Sequence, residues 1–274
     1  DDFAAHHDNL LVAAHLERYW GRFGLSFRPL RPAMAFLDIT EAWEETGFVS
    51  NSTLLPAAGF AGHAYLSFQQ KHEDLLRAGV DALSRARPEI ILGNPAILAI
   101  LIQSFREILG SRPDWGTRAV VTTGERLSES LRKVIQDFFE APVIDQYSLS
   151  EVGMVGMETR GGAGYLCQDS TLIVETLDRH FQPLPYGHAG LLCFTSLKSG
   201  SMPMIRYVPG DLGRVELQND GPFIRISELQ GRAHDLFVLR NGGILHPESL
   251  SIHMAYRGIG ADAFELVQES LEQI

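Results

Sequence analysis

The sequence predicts an α/β fold in which a parallel sheet is followed by antiparallel strands. Between residues 89 and 145, short β-branched apolar runs alternate with longer amphipathic segments, a pattern typical of parallel strands joined by helical crossovers. After Gly161, short strand-like runs follow at turn-sized intervals, as in an antiparallel sheet or small barrel. With 274 residues and 45% hydrophobic content, the chain can bury a full core.

The first part of the chain predicts four segments. Residues 3–20 place apolar side chains at helical spacing, and residues 33–38 form a short apolar run, so we expect a helix and then a buried strand. Residues 50–62 are mostly small. They are either a plain connection or a loop that lets backbone approach a ligand. Residues 71–86 carry apolar side chains on one face and predict a second helix.

Strands and helices then alternate up to residue 145. Asn94 followed by Pro95 is a good helix start, because Asn caps and Pro has no N–H to leave unpaired. Ser128 is placed to cap a second helix with one apolar face. The predicted elements are a strand over 89–92, a helix over 95–109, a strand over 118–122, a helix after Ser128 and a strand over 142–145.

The last part of the chain predicts strands only, with one exception near its end. Turn-forming segments rich in Pro, Gly, Ser and Asn separate the runs. The predicted strands cover residues 172–177, 191–195, 204–207, 213–217 and 223–226. Residues 244–274 predict a strand, a short helix near 248–256 and a strand near 263–267, which is too little for an independent core.

Composition excludes several classes of protein. The net charge of −11 argues against nucleic acid as a partner, since phosphate backbones need a basic surface. Cys167 and Cys193 cannot build a disulfide framework, so we expect two small buried hydrophobes and a reducing, cytoplasmic setting. No apolar run is long enough to predict a membrane span. The sequence starts at Asp1 without Met, so we expect further residues upstream.

Three segments carry polar groups that suggest a ligand site. Residues 122–156 place the sequence YSLSE after a predicted strand, and open α/β sheets bind ligands at such strand ends. Residues 202–213, MPMIRYVPGDLG, contain a Pro-Gly-Asp turn whose carboxylate suits a ribose diol. Residues 229–243, LQGRAHDLFVLRNGG, place a Gly-Arg pair before an apolar strand. Taken alone, each segment is at least as typical of an ordinary surface turn as of a ligand site.

Taken in order, YSLSE, IRYVPGDLG and GRAHD resemble the adenylate-forming superfamily of acyl-CoA ligases, peptide-synthetase adenylation domains and luciferases. The sequence is most similar to the phenylacetate–CoA ligase branch. Further matches are Gly-Asn-Pro at 93–95, Gly-Glu at 124–125, LIVETLD at 172–178 and GILHPESL at 243–250. The resemblance extends over nearly the whole chain.

The resemblance implies an ATP site with Mg²⁺. The nucleotide-binding residues that it implies are Gly124, Glu125, Asp145, Tyr147, Ser150, Arg206, Asp211 and Arg232. Ser150, Glu151 and Arg232 have the catalytic roles, and Glu151 holds the metal ion, because Mg²⁺ prefers hard oxygen ligands. Arginine keeps its charge and offers several donors to phosphate.

The resemblance also implies an acyl pocket and a mobile lid. The pocket residues are Phe60, Gly62, His63 and Met154, which suggest an aryl or small acid. Asp235 is the implied hinge. The expected large domain covers residues 1–232, α/β to about 160 and β-rich from 161, and residues 233–274 begin a truncated C-terminal lid. The family's phosphate loop would fall before residue 1, and its catalytic lysine after residue 274.

The predicted function is activation of a carboxylic acid by ATP to an acyl-adenylate. CoA, the pantetheine thiol of a carrier protein or an amine then accepts the acyl group. The alternative is a non-catalytic relative that binds nucleotide as a scaffold or regulatory subunit. Ser148, Pro209 and His234 replace Gly, Thr and Asp of the family's motifs. Relatives in the family suggest a homodimer, and neither nucleic acid nor a membrane is expected as a partner.

Overall fold

A computed structural model describes most of the chain between residues 73 and 232 and shorter pieces outside it. The described residues are 33–38, 49–50, 62–67, 73–159, 163–167, 171–197, 203–217, 224–232, 237–238, 240, 244–245 and 267–270. The chain divides into two compact units, unit 1 (Asp1–Gln168) and unit 2 (Asp169–Ile274). Each unit is described by itself.

Unit 1 contains eight described strands and three described helices. The strands are β1 (Ala33–Asp38), β2 (Val49–Ser50), β3 (Gly62–Ser67), β4 (Ile90–Gly93), β5 (Ala119–Thr123), β6 (Val143–Leu149), β7 (Gly153–Glu158) and β8 (Tyr165–Cys167). The helices are α1 (Glu73–Ala86), α2 (Pro95–Leu109) and α3 (Glu129–Phe139). The strands lie in the order β2-β3-β1-β4-β5-β6-β7-β8.

The predicted parallel sheet is confirmed. β3, β1, β4, β5 and β6 pair in parallel, while β2, β7 and β8 add antiparallel neighbours. The two predicted helix caps are also confirmed. The Asn94 side chain accepts hydrogen bonds from the backbone N–H groups of Ala96 and Ile97, and that of Ser128 accepts one from Leu131.

An aromatic cluster forms part of the core between the helices and the sheet of unit 1. Phe105 from α2 is fully buried. Its ring lies 5.7 Å from that of Trp115 in an edge-to-face arrangement and 6.3 Å from that of Phe138 on α3. Phe139 packs edge-to-face on Phe138 at 5.0 Å. Aromatic pairs in these geometries stabilise a core beyond the area that they bury.

The segment after residue 145 differs from the prediction. The strand predicted to end at Asp145 continues to Leu149 and forms a hairpin with β7, so antiparallel pairing begins before Gly161. Gly153 opens β7 with φ +81°, a backbone conformation that favours glycine. The ladder shifts register between Tyr147 and Ser148, which disturbs the alternation of buried and exposed residues by which a strand is predicted.

Unit 2 contains an antiparallel sheet, as predicted, in the order β12-β11-β10-β9. Its strands are β9 (Leu172–Leu177), β10 (Ala189–Ser196), β11 (Asp211–Leu217) and β12 (Ile224–Arg232). A separate two-stranded ladder joins β13 (Phe237–Val238) to β14 (Ile244–Leu245), in agreement with the strand predicted from residue 244.

The strand predicted over 204–207 was wrong. Arg206 has φ 50°, in the left-handed region, which interrupts an extended chain. Tyr207 pairs with the sheet through an isolated bridge to Phe194 with two backbone hydrogen bonds of 2.8 Å, and the Met204 carbonyl accepts a third from the Ser196 N–H at 2.8 Å. The residues that predicted a strand here therefore contact β10 at separate points and do not form a continuous strand.

Several predicted segments lie outside the described residues. They are the helix over 3–20, most of the loop over 50–62, the helix near 248–256 and most of the strand near 263–267. Within the described part of the chain, none of the helices combines the length and the apolar character needed to cross a membrane.

Candidate nucleotide-binding site

The carboxyl ends of β4, β5 and β6 meet at one edge of the sheet in unit 1. Gly93 on β4 is in register with Thr122 on β5, and Thr122 is in register with Asp145 on β6. The residues that follow these positions therefore lie side by side. This is the edge at which parallel α/β sheets bind ligands.

Gly124 and Asn94 border this edge. Gly124 follows β5 with φ +93°, and a Cβ placed on it would lie 3.6 Å from the Asn94 amide nitrogen. The Asn94 oxygen is used in capping α2, so its NH₂ group is the end that lies near Gly124. Glu125 is exposed beside them. Asn94 was predicted as a helix cap and not as a site residue, yet it lies next to a predicted nucleotide-binding residue, Gly124.

The β6–β7 hairpin carries the other predicted residues of unit 1. Tyr147 is half-buried on β6, whereas Ser150 and Glu151 are exposed in the turn between the strands. Met154 on β7 lies opposite Ser148. The hairpin therefore presents a hydroxyl and a carboxylate at its tip, and the aromatic ring comes from the strand that leads to the tip.

A buried hydrogen-bonded cluster is centred on Asp145, which lies on β6 two residues before Tyr147. The Thr122 hydroxyl donates to Asp145 Oδ1 at 2.7 Å, and the Tyr165 hydroxyl donates to Asp145 Oδ2 at 2.6 Å. Asp145 is only 4% exposed. Burial raises the pKa of Asp145, and the two donated hydrogen bonds oppose that rise. Burial and the nearby Asp145 raise the pKa of Tyr165, so Tyr165 remains a hydrogen-bond donor.

Arg132 and Glu158 connect α3 to this hairpin. Arg132 binds both carboxylate oxygens of Glu158 at 2.7 and 2.8 Å and donates to the Val143 carbonyl at 2.7 Å. Glu158 also accepts the backbone N–H of Asp145 at 3.1 Å. Both bonds to Glu158 come from one guanidinium nitrogen, Nη2, and the bond to Val143 comes from the other, Nη1, so the guanidinium is held by two different groups. Sequence reasoning did not identify Tyr165, Arg132 or Glu158, because 26 residues separate the two ends of the ion pair and no local pattern marks them.

Unit 2 brings two predicted residues together. Asp211 begins β11 and Arg232 ends β12, and the two residues face each other across the antiparallel ladder. Gly210, with φ +95°, turns the chain into β11. Asp211 is buried and Arg232 is exposed. Two residues that the resemblance implies for nucleotide binding therefore lie opposite each other within this unit.

Arg206 contacts other parts of unit 2. Its backbone N–H donates to Thr195 Oγ1 at 3.0 Å. Its guanidinium donates to Glu175 Oε2 and to the Phe181 carbonyl, each at 3.4 Å. These contacts connect Arg206 to β9, to β10 and to the turn that follows β9.

The remaining predicted residues are only partly described. Gly62 and His63 begin β3, whereas Phe60 and Asp235 lie outside the described residues. Among the described side chains, no three His, Cys, Asp or Glu residues gather into a metal-binding group.

Comparison with known proteins supports the predicted resemblance. No protein-family model matches the chain. Phenylacetate-coenzyme A ligase of Thermus thermophilus is 29% identical over 163 residues, and that of Pseudomonas putida is 29% identical over 170 residues. Each match covers 56% of this chain and 36% of the relative. The matched region is thus about a third of the length of these curated relatives.

Solved structures share the fold. A 2-hydroxyisobutyryl-CoA ligase in complex with R3-HIB-AMP matches 91% of this chain and 53% of its own, with a TM-score of 0.67 and 21% identity. The anthranilate CoA ligase AuaEII in complex with anthranoyl-AMP matches 92% of this chain and 48% of its own, with a TM-score of 0.58 and 15% identity. The chain is therefore a distant relative of the adenylate-forming superfamily, with partial-length homology to phenylacetate–CoA ligases.

Proposed function

We propose that this protein activates a carboxylic acid with ATP and transfers the acyl group to a thiol. A carboxylate oxygen of the acid bonds to the α-phosphorus as the bond from that phosphorus to the bridging oxygen breaks, releasing pyrophosphate. The thiol of CoA or of a carrier-protein pantetheine then gives up its proton to solvent as its sulfur bonds to the acyl carbon, and AMP leaves with the electron pair of the broken C–O bond. A solved relative was captured with 2-HIB-AMP and CoA in its thioesterification state, which supports the second step.

The observation that carries this proposal is the edge of unit 1 formed by the ends of β4, β5 and β6. Gly124 and Glu125 border the adenine, and Tyr147 stacks on it, because an aromatic ring binds the face of any base. The Ser150 hydroxyl donates to phosphate. Attack on the α-phosphate depends mainly on positioning and charge neutralisation, which groups at the hairpin tip are placed to provide.

The hairpin tip also fits a role for Mg²⁺. Glu151 is exposed in a turn, and carboxylate oxygen is a ligand that Mg²⁺ prefers. When bound, the ion would neutralise negative charge on the phosphates. Glu151 would hold the ion, and Ser150, the preceding residue in the turn, would orient the phosphate.

In unit 2, Asp211 accepts hydrogen bonds from the ribose diol, and Arg232 binds ribose or phosphate. Their opposition across the β11–β12 ladder supports this assignment, since two anchored strands hold the carboxylate and the guanidinium at fixed spacing. Arg206 supports the site indirectly. Its contacts with Glu175 and the Phe181 carbonyl fix the segment from which the chain leads to Asp211.

The acid substrate is aryl or small. We assign its pocket to Phe60, Gly62, His63 and Met154, which combine aromatic, flat and flexible apolar surfaces. Small-molecule pockets are typically apolar with few polar groups. Asp235 is the hinge of the lid in this proposal.

The decisive experiment is acid-dependent exchange of pyrophosphate into ATP by the intact protein, with a panel of aryl and short-chain acids. We expect exchange with at least one acid. Glu151→Gln and Asp211→Ala should abolish it. Matched changes at two exposed helical acids, Glu107→Gln and Asp81→Asn, should leave it unchanged.

Two outcomes would contradict the proposal. ATP binding without exchange for any acid would identify a nucleotide-binding relative that is not a ligase. Exchange retained in either Glu151→Gln or Asp211→Ala, with folded protein, would show that the site residue concerned is assigned wrongly.

A further inference from the structure

Tyr165 links the buried acid of unit 1 to the aromatic ring at its candidate site. The Tyr165 hydroxyl donates to Asp145 Oδ2 at 2.6 Å. Its ring lies 5.9 Å from the ring of Tyr147, tilted by 55°, a distance at which aromatic side chains attract each other. Tyr165 is thus held at its hydroxyl by one residue of β6 and packs along its ring against another.

The surroundings of Asp145 leave little of it for a ligand. One carboxylate oxygen accepts from Thr122 on β5 and the other from Tyr165 on β8. Its backbone N–H is bound by Glu158 on β7, which in turn is paired with Arg132 on α3. Polar groups from the neighbouring strands thus surround an acid that is 4% exposed. A buried carboxylate whose two oxygens both accept hydrogen bonds fixes the positions of the groups that donate to it.

Tyr147, by contrast, is half-buried. Its ring contacts that of Tyr165, and part of the residue remains exposed. A tyrosine ring has few torsions, so contact with a second, anchored ring restricts it strongly. The orientation of the Tyr147 ring therefore depends on where the Asp145–Tyr165 hydrogen bond holds the ring of Tyr165.

We infer that Tyr165 is a positioning residue for nucleotide binding, and that Asp145 acts on the nucleotide through Tyr165 and Tyr147 rather than by contact with the base. The inference rests on the proposed function, because it takes Tyr147 as the surface on which the base stacks. The family resemblance implies that Asp145 binds the nucleotide, whereas this inference gives Asp145 a positioning role. It also gives a role to Tyr165, which lies outside the motifs.

The two roles of Asp145 differ in their dependence on the base. Stacking on an aromatic ring tolerates any base, so a misplaced Tyr147 weakens the binding of ATP and of ITP by the same factor. A carboxylate that accepts a hydrogen bond from the 6-amino group of adenine would distinguish ATP from ITP, which carries an oxo group there. The ratio of the two dissociation constants therefore separates positioning from contact.

The test is calorimetric titration of the intact protein with ATP and with ITP. Tyr165→Phe keeps the ring and removes only the hydroxyl, and should weaken both nucleotides by about threefold to tenfold, a part of the loss expected when a stacking ring is removed. Asp145→Ala should do the same with an unchanged ATP/ITP ratio. Asp145→Asn should bind close to wild type, because an amide can accept from Tyr165 and donate to Thr122.

The control is Tyr186→Phe, which removes the hydroxyl of an exposed tyrosine in unit 2 and should change neither nucleotide. In the exchange assay, Tyr165→Phe should raise KM for ATP and leave KM for the acid and kcat nearly unchanged. A purely structural role would lower the amount of folded protein without this split. Circular dichroism melting of each variant checks the fold. If Asp145→Ala does not fold, Tyr165→Phe and Asp145→Asn decide the question.

The results separate this inference from the proposed function. Wild-type protein that binds neither nucleotide overturns both. Wild-type protein that binds ATP, together with a Tyr165→Phe variant of equal affinity, overturns the inference alone. A change in the ATP/ITP ratio of more than about threefold in Asp145→Ala, beyond what stacking on any base allows, also overturns it, because it would indicate contact with the base.

Discussion

Gly156→Ala tests how tightly β7 and β8 pack in unit 1. Gly156 pairs with Cys167 on β8 and with Tyr147 on β6. A Cβ at Gly156 would lie 2.4 Å from the Leu166 carbonyl oxygen and 3.0 Å from its carbonyl carbon. Because these are backbone atoms, no side chain can turn away. The backbones must separate until the 2.4 Å contact reaches at least 3.0 Å.

The size of the effect follows from that displacement. Overpacking a well-packed site costs about 1–3 kcal/mol, and each weakened ladder hydrogen bond adds about 1 kcal/mol. We expect Gly156→Ala to lower the free energy of unfolding by about 3 kcal/mol. For a unit of this size, that corresponds to a melting temperature lower by about 6–12 °C.

The assay is urea unfolding followed by circular dichroism, with Gly153→Ala as the matched control. Gly153 has φ +81°, and a Cβ added to it would have no atom within 4 Å, so its substitution isolates backbone strain, about 1 kcal/mol. Gly156→Ala should therefore be the more damaging of the two. If Gly156→Ala lowers the free energy of unfolding by less than about 0.5 kcal/mol, or by less than Gly153→Ala does, the packing described for β7 and β8 is refuted.

Three further predictions concern stability. Glu216→Gln should be about 1 kcal/mol less stable than wild type at pH 7. The hydrogen bond from Arg225 at 2.5 Å lowers the pKa of Glu216 in the folded protein. The stabilisation is therefore present above the unfolded pKa near 4.5 and is lost as pH falls through the lower folded pKa. A pH series of urea unfolding checks this loss. Phe105→Ala should lose about 3–5 kcal/mol in the same assay, because the ring is fully buried among aromatic neighbours. Ser128→Ala should lose about 1 kcal/mol through its helix cap, and Gln136→Ala, at an exposed position of the same helix, should lose less.

The alternating strands and helices of unit 1 were predictable because their signals are local. Asn94 and Ser128 cap helices through bonds to residues two or three positions ahead, and β4 and β5 are short apolar runs with buried side chains. Propensity and pattern therefore agree with the tertiary structure there. The β9 strand was predicted with its observed bounds for the same reason.

The prediction failed where single residues leave the regular conformations. Arg206 adopts a left-handed backbone within a run that otherwise favours a strand. β7 escaped prediction because Val155, Gly156 and Met157 are buried in succession, against the alternation by which half-buried strands are predicted. No local sequence pattern indicates where a residue will adopt a positive φ or where a ladder will shift its register.

The candidate site was predictable only in part. The order of the motifs singled out Tyr147, Asp211 and Arg232, and the structure shows that Asp211 and Arg232 are opposed in unit 2. The support behind Tyr147 was not predicted, because Tyr165 belongs to a three-residue strand and meets Asp145 only through folding. Motifs identify residues that contact ligands, whereas the groups that hold them in place are defined by topology.

Because of the register shift in the β6–β7 hairpin, the number of residues in this hairpin affects the direction of its turn. Tyr147 pairs with Gly156 and Ser148 with Met154, so Val155 is an extra residue without a partner on β6. A deletion of Val155 would restore a regular ladder in which Met154 still pairs with Ser148, but it would remove the local bend and added twist that a bulge gives to its strand. The turn that carries Ser150 and Glu151 would be re-aimed although its own sequence was intact. Alignment gaps in this hairpin are therefore as informative about the site as substitutions in its motif.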